Sequence, residues 1–310
     1  MEWHFVARVR PERERTVARA FAPAHVTGFF APDVSGRDPR ARGSVGAGLV
    51  LELGVTATVR FRPSSTSRVV VRSADCGALP ISLDVARRVA SGTAGRVDIE
   101  LAHDLPIGQG LGTSAAGALA TGLAVSAALG RPRRRAIETA HLAELFGGGG
   151  LGGVAAILGG GLEVRERPGL PPFGRIRRRP FPSPVILSVV GPPLPSPPLL
   201  RDPRFLDRVG DSAGSAVVRL ARRTTPARFL RESEQFTDAL GLGSRRLHRT
   251  IGALRETGTP CAQAMLGETL FAVPTSAKMR RDVLRVLERR HLPAVELRTA
   301  TAGARVQVSR

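Results

Sequence analysis

Pro106-Ile107-Gly108-Gln109-Gly110-Leu111-Gly112-Thr113-Ser114-Ala115-Ala116 is the stretch that decides the fold of this 310-residue chain. Its three glycines at every second position let the backbone approach an oligophosphate closely. Thr113 and Ser114 place two hydroxyl groups at the first turn of a small-residue helix, which we expect to run to about Leu129. The start of a helix presents unpaired N–H groups and the positive end of a dipole, and both attract anions. The stretch therefore predicts a phosphate-binding loop.

Two other phosphate-binding motifs use similar residues. Residues 110–115 also fit the dinucleotide-binding pattern G-x-G-x-x-A, which a second parallel strand ending in an acidic residue should follow. Here the arginine-rich residues 131–135 lead instead into another helical pattern, 136–146. A Walker loop would need a Lys after its glycines, and none is present. A structural glycine turn before a buried helix explains the glycines but not the whole motif.

The stretch resembles the second motif of the GHMP kinases, whose pattern is Pro-x-x-x-Gly-Leu-Gly-Ser-Ser-Ala. The matching residues are Pro106, Gly110, Leu111, Gly112, Ser114 and Ala115, with Thr113 replacing one hydroxyl residue by another. The resemblance implies that these residues, together with Gly108, bind ATP. It also implies an α+β fold of two domains. A ribosomal-protein-like, nucleotide-binding N-terminal domain would take residues 1–180, and a ferredoxin-like C-terminal domain would take residues 181–310.

Further strings are similar to the archaeal pantoate kinases of the same superfamily. They cover residues 23–30, 43–48, 140–144, 150–152, 159–160 and 264–272. The last string contains Met265 and Gly267, where sister families carry a Gly-Ala-Gly-Gly loop, and the resemblance implies that both residues contact the substrate. It also implies ATP-dependent phosphorylation of the primary hydroxyl of pantoate, or of a similar small hydroxy acid, in coenzyme A biosynthesis.

The resemblance also suggests residues that bind an acidic substrate. An anionic acid needs a cation or several hydrogen-bond donors, so His25 and Arg42 are candidates for its carboxylate. We expect His25 to be catalytic as well, although a structural, hydrogen-bonded imidazole is nearly as good an interpretation. Thr27 and Ser44 either bind substrate hydroxyl groups or cap turns.

The metal and the transferred phosphoryl group need oxygen ligands and positive charge. The resemblance implies that Ser114 and Glu144 hold Mg²⁺, and that Ser114 is part of the catalytic site. A solvated helix residue is the alternative interpretation of Glu144.

Two positions depart from the family pattern. Val45 stands where the family has an Arg, and Gly153 stands where it has an Asp that resembles the general base of mevalonate kinases. The chain could therefore be a nucleotide-binding pseudoenzyme, act on another substrate, or work without a base as homoserine kinase does. General-base help contributes about 10²–10⁴-fold, so its loss slows a kinase without abolishing its activity.

Basic residues are in large excess, and the formal net charge is +20. Such an excess attracts polyanions. However, Lys278 is the only Lys, and a chain-wide bias toward Arg is typical of genomic composition or heat adaptation. The arginines also lack interleaved aromatic residues. We therefore consider nucleic acid an unlikely partner.

The remaining composition favours a cytoplasmic protein that binds no membrane. Cys76 and Cys261 lack metal-ligand spacing and imply no disulfide framework. No apolar run near the N-terminus is long enough for a signal peptide. The most apolar stretch, 111–129, contains glycines, Thr121 and Ser126 and falls short of the roughly 20 apolar residues of a membrane span. The sequence leaves open whether the chain forms a homodimer.

Local patterns predict the remaining elements. Strands are expected at 4–9, 21–30, 49–62, 67–72, 96–102, 162–165, 185–190 and 294–298. Helices are expected at 82–90, 136–146, 203–222, 226–240, 244–257 and 276–290. We expect a glycine-rich turn at 42–48, the domain junction near 168–182, and a stiff extended loop at 192–198.

Overall fold

The computed structural model describes residues 16–74, 76–194 and 196–309. The strand predicted at 4–9 lies outside them. The described chain contains a seven-stranded sheet and a four-stranded sheet. No helix in these ranges is both long and apolar enough to cross a bilayer.

The larger sheet is built around a long antiparallel hairpin. The hairpin consists of β1 (Thr16–Asp33) and β2 (Gly43–Arg62), joined by a loop with a short 3₁₀ turn at Pro39–Ala41. The other strands are β3 (Arg68–Ser73), β4 (Arg96–His103), β5 (Leu162–Arg167) and β6 (Arg175–Arg179). One half of β2 pairs with β4 and the other half with β5, so the sheet divides along this strand.

Irregular pairing within the hairpin falls beside the phosphate loop. The register between β1 and β2 shifts between Pro23 and His25 and again between Thr27 and Phe29. Such bulges bend a strand and change the direction of its side chains. The three residues His25, Val26 and Thr27 therefore form a separately oriented segment of β1.

Three helices pack together on this sheet: α1 (Pro80–Ala90), α2 (Thr113–Ala128) and α3 (Arg133–Gly147). Small residues let α2 approach its neighbours closely. A Cβ on Gly122 would lie 3.1 Å from both the Ala136 carbonyl oxygen and a Val85 methyl group. Hence α2 is buried almost throughout, as its uniformly apolar sequence predicts. The short helices α4 (Gly153–Ala156) and α5 (Ser196–Leu199) lie in the connections that follow.

The smaller sheet contains β7 (Val185–Val189), β8 (Cys261–Gln263), β9 (Thr269–Ala272) and β10 (Val295–Leu297). Its strand order is β10-β7-β9-β8. Two helices, α6 (Pro203–Arg222) and α7 (Pro226–Leu240), follow β7 and pack against β1. Then α8 (Arg245–Glu256) leads to β8, and α9 (Ala277–Arg289) connects β9 to β10. Without the short α5 and without α6 and α7, the order is βαββαβ, which is ferredoxin-like.

Phenylalanine rings join the two parts of the molecule. The ring centroid of Phe229 on α7 lies 6.3 Å from that of Phe29 on β1 and 6.2 Å from that of Phe271 on β9. All three residues are fully buried. Offset and edge contacts at these distances stabilise a core. This cluster fixes the smaller sheet relative to the bulged segment of β1.

The structure differs from the sequence expectations in three connections. Residues 43–48, predicted as part of a turn, begin β2, where Gly46 and Gly48 leave room for overlying side chains. The junction 168–182 contains β6, and the loop 192–198 contains α5. A further strand, β11 (Arg305–Ser309), pairs with β1 and returns the chain to the larger sheet. The domain boundary at 180/181 stays a prediction.

Candidate active site

The phosphate loop predicted from the sequence connects β4 to α2 and depends on left-handed glycines. The φ angles are +74° at Gly108, +73° at Gly110 and +63° at Gly112. Other residues adopt this conformation only at a cost in free energy. A Cβ on Gly110 would also lie 2.3 Å from the Ala264 carbonyl oxygen. The alternating glycines therefore satisfy both the turn and the close packing against the residues before β9.

In the described structure, the backbone N–H groups of this loop are free for a ligand. Within the described part of the chain, none of the N–H groups from 108 to 115 donates a hydrogen bond to a protein acceptor. The loop is held instead through its carbonyls, since the Leu111 oxygen accepts from the His25 N–H at 3.0 Å and the Gly108 oxygen from the Leu194 N–H at 3.2 Å. A row of unpaired N–H groups at a helix start binds oligoanions.

Ser114 and Glu144 meet at the side of this loop. Ser114 lies in the first turn of α2, and its hydroxyl donates to Glu144 Oε1 on α3 at 2.5 Å. Glu144 is only 3 % exposed. Burial raises the pKa of its carboxyl group to about 7, although the Ser114 hydrogen bond offsets part of the shift. Glu144 has no cationic partner among the residues that the structure describes, and a buried carboxylate next to a hydroxyl and a phosphate loop has the donor chemistry of a Mg²⁺ site.

Two cavities meet at the loop, and both are lined by Gly108, Thr113, Ser114 and Gly149. The first, here called the nucleoside cavity, encloses about 620 Å³. Apolar side chains of 79–81, 107 and 194 line it. It lies between the N-terminus of α1 and the phosphate loop.

The second, here called the acceptor cavity, is smaller and more polar, with a volume of about 130 Å³. It combines charged, hydroxyl-bearing and apolar side chains from the larger sheet, from α3 and from the turn between β8 and β9. The side chains that matter for the argument are His25, Thr27, Ser44, Glu144, Arg165 and Met265. Of the predicted site residues, the structure thus brings most of the substrate and metal candidates to one cavity beside the phosphate loop.

His25 and Thr27 lie on the bulged segment of β1 and are linked to each other. Thr27 Oγ1 lies 3.2 Å from His25 Nδ1, and His25 Nε2 lies 3.0 Å from Glu163 Oε1 on β5. The imidazole packs over Gly48, whose Cβ would lie 2.3 Å from Nε2. Burial lowers the pKa of His25, and the interaction with Glu163 only partly opposes this shift. His25 is therefore neutral near pH 7 and supplies no positive charge.

Arg165, which the sequence analysis did not select, is the cation in the acceptor cavity. Although only 3 % exposed, it lines the cavity. Its Nη1 pairs with Glu163, and its Nε donates to the Ser44 carbonyl at 3.3 Å. Nη2 donates to no acceptor among the described residues, and it is not fully buried. In sequence, residues 162–165 alternate as Leu-Glu-Val-Arg, which is typical of a strand with one solvated face. This pattern gives no indication that Arg165 lines a buried cavity.

Other predicted residues lie outside the cavity. Arg42 does not line it, because its Nε donates to the Gly36 carbonyl oxygen at 2.6 Å in the loop after β1. Pro106 and Gly267 do not line it either. Gly267 instead packs against the phosphate loop, where its Cβ would lie 2.1 Å from the Gln109 carbonyl carbon. Met265 lines the cavity, and its N–H donates to the Thr27 carbonyl at 3.0 Å.

The two departures from the family pattern have structural explanations. A Cβ on Gly153 would lie 2.7 Å from the Ala115 Cβ, so an acidic side chain does not fit there unless the start of α2 shifts. Val45 packs against the core, whereas Arg165 Nη2 lies over the neighbouring Gly46. The cavity thus has its positive charge on β5 and no carboxylate at residue 153.

A two-sheet α+β fold with a glycine-rich phosphate loop between two cavities defines a small-molecule kinase of the GHMP type. A model of the GHMP kinases N-terminal domain matches residues 81–161. The chain is 32 % identical to a pantoate kinase of Thermococcus kodakarensis over 82 % of this chain and 87 % of the relative. It is 30 % identical to a pantoate kinase of Methanospirillum hungatei, with coverages of 86 % and 90 %. The chain therefore belongs to the GHMP kinase family.

Within that family, one solved structure is similar along almost the whole chain. A solved structure described as a phosphotransferase related to the CoA biosynthesis pathway superposes with a TM-score of 0.84 at 30 % identity, covering 94 % of this chain and 98 % of the other. The predicted two-domain GHMP kinase fold and the predicted phosphotransferase class are confirmed. The roles of individual site residues stay predictions.

Proposed function

We propose that this chain transfers the γ-phosphoryl group of ATP to the primary hydroxyl of pantoate, 2,4-dihydroxy-3,3-dimethylbutanoate, in coenzyme A biosynthesis. One observation carries the proposal: the unpaired N–H groups of 108–115 lie where the nucleoside and acceptor cavities meet. A triphosphate bound there would extend from one cavity toward the other. The relatives named pantoate kinase support the choice of acceptor.

The nucleotide would take the nucleoside cavity and the loop. Leu79, Ile81 and Leu194 offer apolar contacts to a base, and the N-terminus of α2 faces the phosphates. The loop's N–H groups are held in place before the reaction, so they stabilise charge on the phosphoryl oxygens without reorganising. Phosphoryl transfer needs little beyond such positioning and charge neutralisation.

Ser114 and Glu144 fit a Mg²⁺ site. Their oxygens lie 2.5 Å apart beside the loop, and Glu144 is buried with no cationic side chain from the described ranges in contact. A protein supplies Mg²⁺ with one or two such ligands, and phosphate oxygens and water complete the shell. When bound, the metal ion would neutralise charge on the phosphates. Ser114 and Glu144 would hold it, and the hydroxyl would orient the carboxylate.

The acceptor cavity suits a branched hydroxy acid. Arg165 Nη2 is available for the carboxylate, since its other nitrogens are used by Glu163 and Ser44. Phe30, Leu151 and Leu266 provide an apolar wall for the two methyl groups of pantoate. Thr27 offers a hydroxyl for the alcohol end. A ligand bound in this way presents its primary hydroxyl toward the phosphate loop.

The test is phosphate transfer from ATP, followed by mass analysis of the product, with pantoate, mevalonate, homoserine and pantoamide as acceptors. Pantoamide keeps the shape of pantoate but lacks its charge. Hydrogen bonds to charged groups contribute about 1.5–3 kcal/mol, or roughly 10–150-fold in kcat/KM. We expect the wild type to prefer pantoate by that margin and Arg165→Gln to lose the preference. Ser114→Ala should reduce turnover of every acceptor.

The absence of a carboxylate at residue 153 favours one competing function, a nucleotide-binding protein without kinase activity. ATP binding without turnover of any acceptor in the panel would establish it and overturn the proposal. Turnover of mevalonate or homoserine in preference to pantoate would retain the kinase and change its substrate. Mg²⁺ as the metal ion and a cytoplasmic location belong to the same proposal.

A further inference from the structure

The acceptor hydroxyl must lose a proton when it attacks the phosphoryl group, and few groups in the acceptor cavity can receive it. Among the described residues that line this cavity, only His25 and Glu144 have side chains able to take up a proton near pH 7. Glu144 already accepts a hydrogen bond from Ser114 and is assigned above to the metal site. His25 is therefore the remaining acceptor, and Thr27 stands between it and the open cavity.

The geometry decides which nitrogen of His25 is basic. Arg165 pairs with Glu163, and this charge helps to hold the pKa of the Glu163 carboxyl below its ordinary value despite burial. As an ionised carboxylate, Glu163 only accepts hydrogen bonds, so His25 Nε2, 3.0 Å away, must carry a hydrogen. In a neutral imidazole, Nδ1 is then the acceptor, and the Thr27 hydroxyl donates to it at 3.2 Å. The oxygen of Thr27 keeps its lone pairs for a ligand in the cavity.

We propose, on the basis of the proposed function, that Thr27, His25 and Glu163 form a proton relay for the acceptor hydroxyl. As the new O–P bond forms and the bond to ADP breaks, the acceptor O–H proton moves to Thr27 Oγ1. The hydroxyl proton of Thr27 moves along its existing hydrogen bond to His25 Nδ1. Glu163 stabilises the imidazolium, and the proton leaves by the reverse route to solvent after the product departs. Thr27 is the catalytic residue here, whereas His25 and Glu163 act through it.

The surroundings of His25 keep the relay ready to accept a proton. Glu163 on β5 favours the charged imidazole, whereas Arg165 on β5 and Arg178 on β6 disfavour it. Burial also favours the neutral ring. Gly48 on β2 lies directly beneath the ring, where a Cβ would lie 2.3 Å from Nε2. The imidazole is thus neutral and is held by a hydrogen bond at each ring nitrogen.

The kinetic test uses Thr27→Val, which removes the hydroxyl at nearly constant volume, and Thr27→Ser, which keeps it. Thr56→Val, on β2 and outside both cavities, is the matched control. General-base help is about 10²–10⁴-fold. We expect Thr27→Val to lower the rate of the chemical step, measured by rapid quench at saturating pantoate, by at least 10²-fold. Thr27→Ser should lose at least tenfold less, and Thr56→Val should match the wild type.

Two further kinetic readouts separate a relay from simple binding. His25→Asn keeps a hydrogen-bonding atom near Nδ1 but no basic nitrogen, so it should remove the part of the acid limb of the rate profile that His25 causes and leave the part that Glu144 causes. It should also remove the solvent deuterium isotope effect on the chemical step. If Thr27→Val raises KM for pantoate and leaves the chemical step unchanged, Thr27 only binds substrate and the relay is refuted.

An NMR measurement tests the relay without turnover. In protein labelled with ¹⁵N-histidine, we expect His25 at pH 7.5 to be neutral with its hydrogen on Nε2, and Thr27→Val to shift the Nδ1 resonance. A charged ring, or a hydrogen on Nδ1, overturns the relay even if the wild type phosphorylates pantoate. Conversely, the expected tautomer with no turnover of any acceptor means that the proposed function itself has failed, and the assigned role of Thr27 with it.

Discussion

Replacing Gly110 by Ala tests whether the phosphate loop has the conformation and packing described above. Gly110 has φ +73°, and the left-handed conformation costs a residue with a Cβ about 1–2 kcal/mol. The new methyl group would also lie 2.3 Å from the Ala264 carbonyl oxygen, a backbone atom that cannot rotate away. Such overpacking costs about 1–3 kcal/mol more.

Gly130→Ala is the matched control at the other end of α2. Its φ is +62°, but no atom lies within 4 Å of the added Cβ, so only the conformational cost applies. The expected difference between the two variants is therefore the overpacking of about 1–3 kcal/mol, or roughly 2–5 °C in Tm for a chain of this size. Thermal unfolding followed by circular dichroism measures it directly.

Nucleotide binding separates the two variants further. A shift of the loop by a few tenths of an ångström misaligns its N–H groups, so Gly110→Ala should weaken ATP binding at least tenfold in calorimetric titrations, about 1.4 kcal/mol. Gly130→Ala should bind ATP like the wild type. Equal Tm values and equal ATP affinities for the two variants would show that the loop does not pack against Ala264 and would refute the reasoning.

Three other perturbations give distinct outcomes. Glu144→Gln should raise the Mg²⁺ concentration for half-maximal activity at least about tenfold, whereas Glu138→Gln, on the same helix but outside the site, should not; identical Mg²⁺ titrations would remove Glu144 from the metal site. Burial lowers the pKa of His25 from 6.5, so the unfolded chain binds its proton more readily and the free energy of unfolding should fall as pH drops below about 6.5. Glu144 titrates in the same pH range and has the opposite effect on stability, so the comparison is made in its absence. Tm is measured from pH 7.5 to 5.5 for Glu144→Gln and for the double variant Glu144→Gln with His25→Asn. Equal slopes of Tm against pH would contradict the lowered pKa of His25. Phe229→Ala should destabilise the chain by about 3–5 kcal/mol, as for other buried rings, measurable by urea denaturation; a loss under 1 kcal/mol would mean that the ring cluster does not join the two parts.

Local sequence was sufficient to predict those parts of the structure that depend only on residues close together in the chain. The alternating glycines predict a loop whose backbone can approach phosphates closely, and the structure gives all three, at 108, 110 and 112, a left-handed conformation. The apolar, small-residue run predicts the buried helix after them. Most helices and strands also follow from their own periodicity. By contrast, residues 43–48 predict a turn because glycine is common in turns, yet here Gly46 and Gly48 lie in a strand beneath Arg165 and His25.

Sequence alone therefore determined the family, the phosphate loop and the pairing of that loop with hydroxyl and carboxylate candidates, since these depend on residue order over a few turns. The tertiary structure decided which charges face the acceptor. Glu163 meets His25 across 138 positions of sequence, and Arg165 enters the cavity from a strand whose alternating pattern predicts a solvated face. Arg42, closer in sequence to the other candidates, is directed away by a backbone carbonyl. Contacts between distant strands arise only when both sheets assemble, and no local pattern records them.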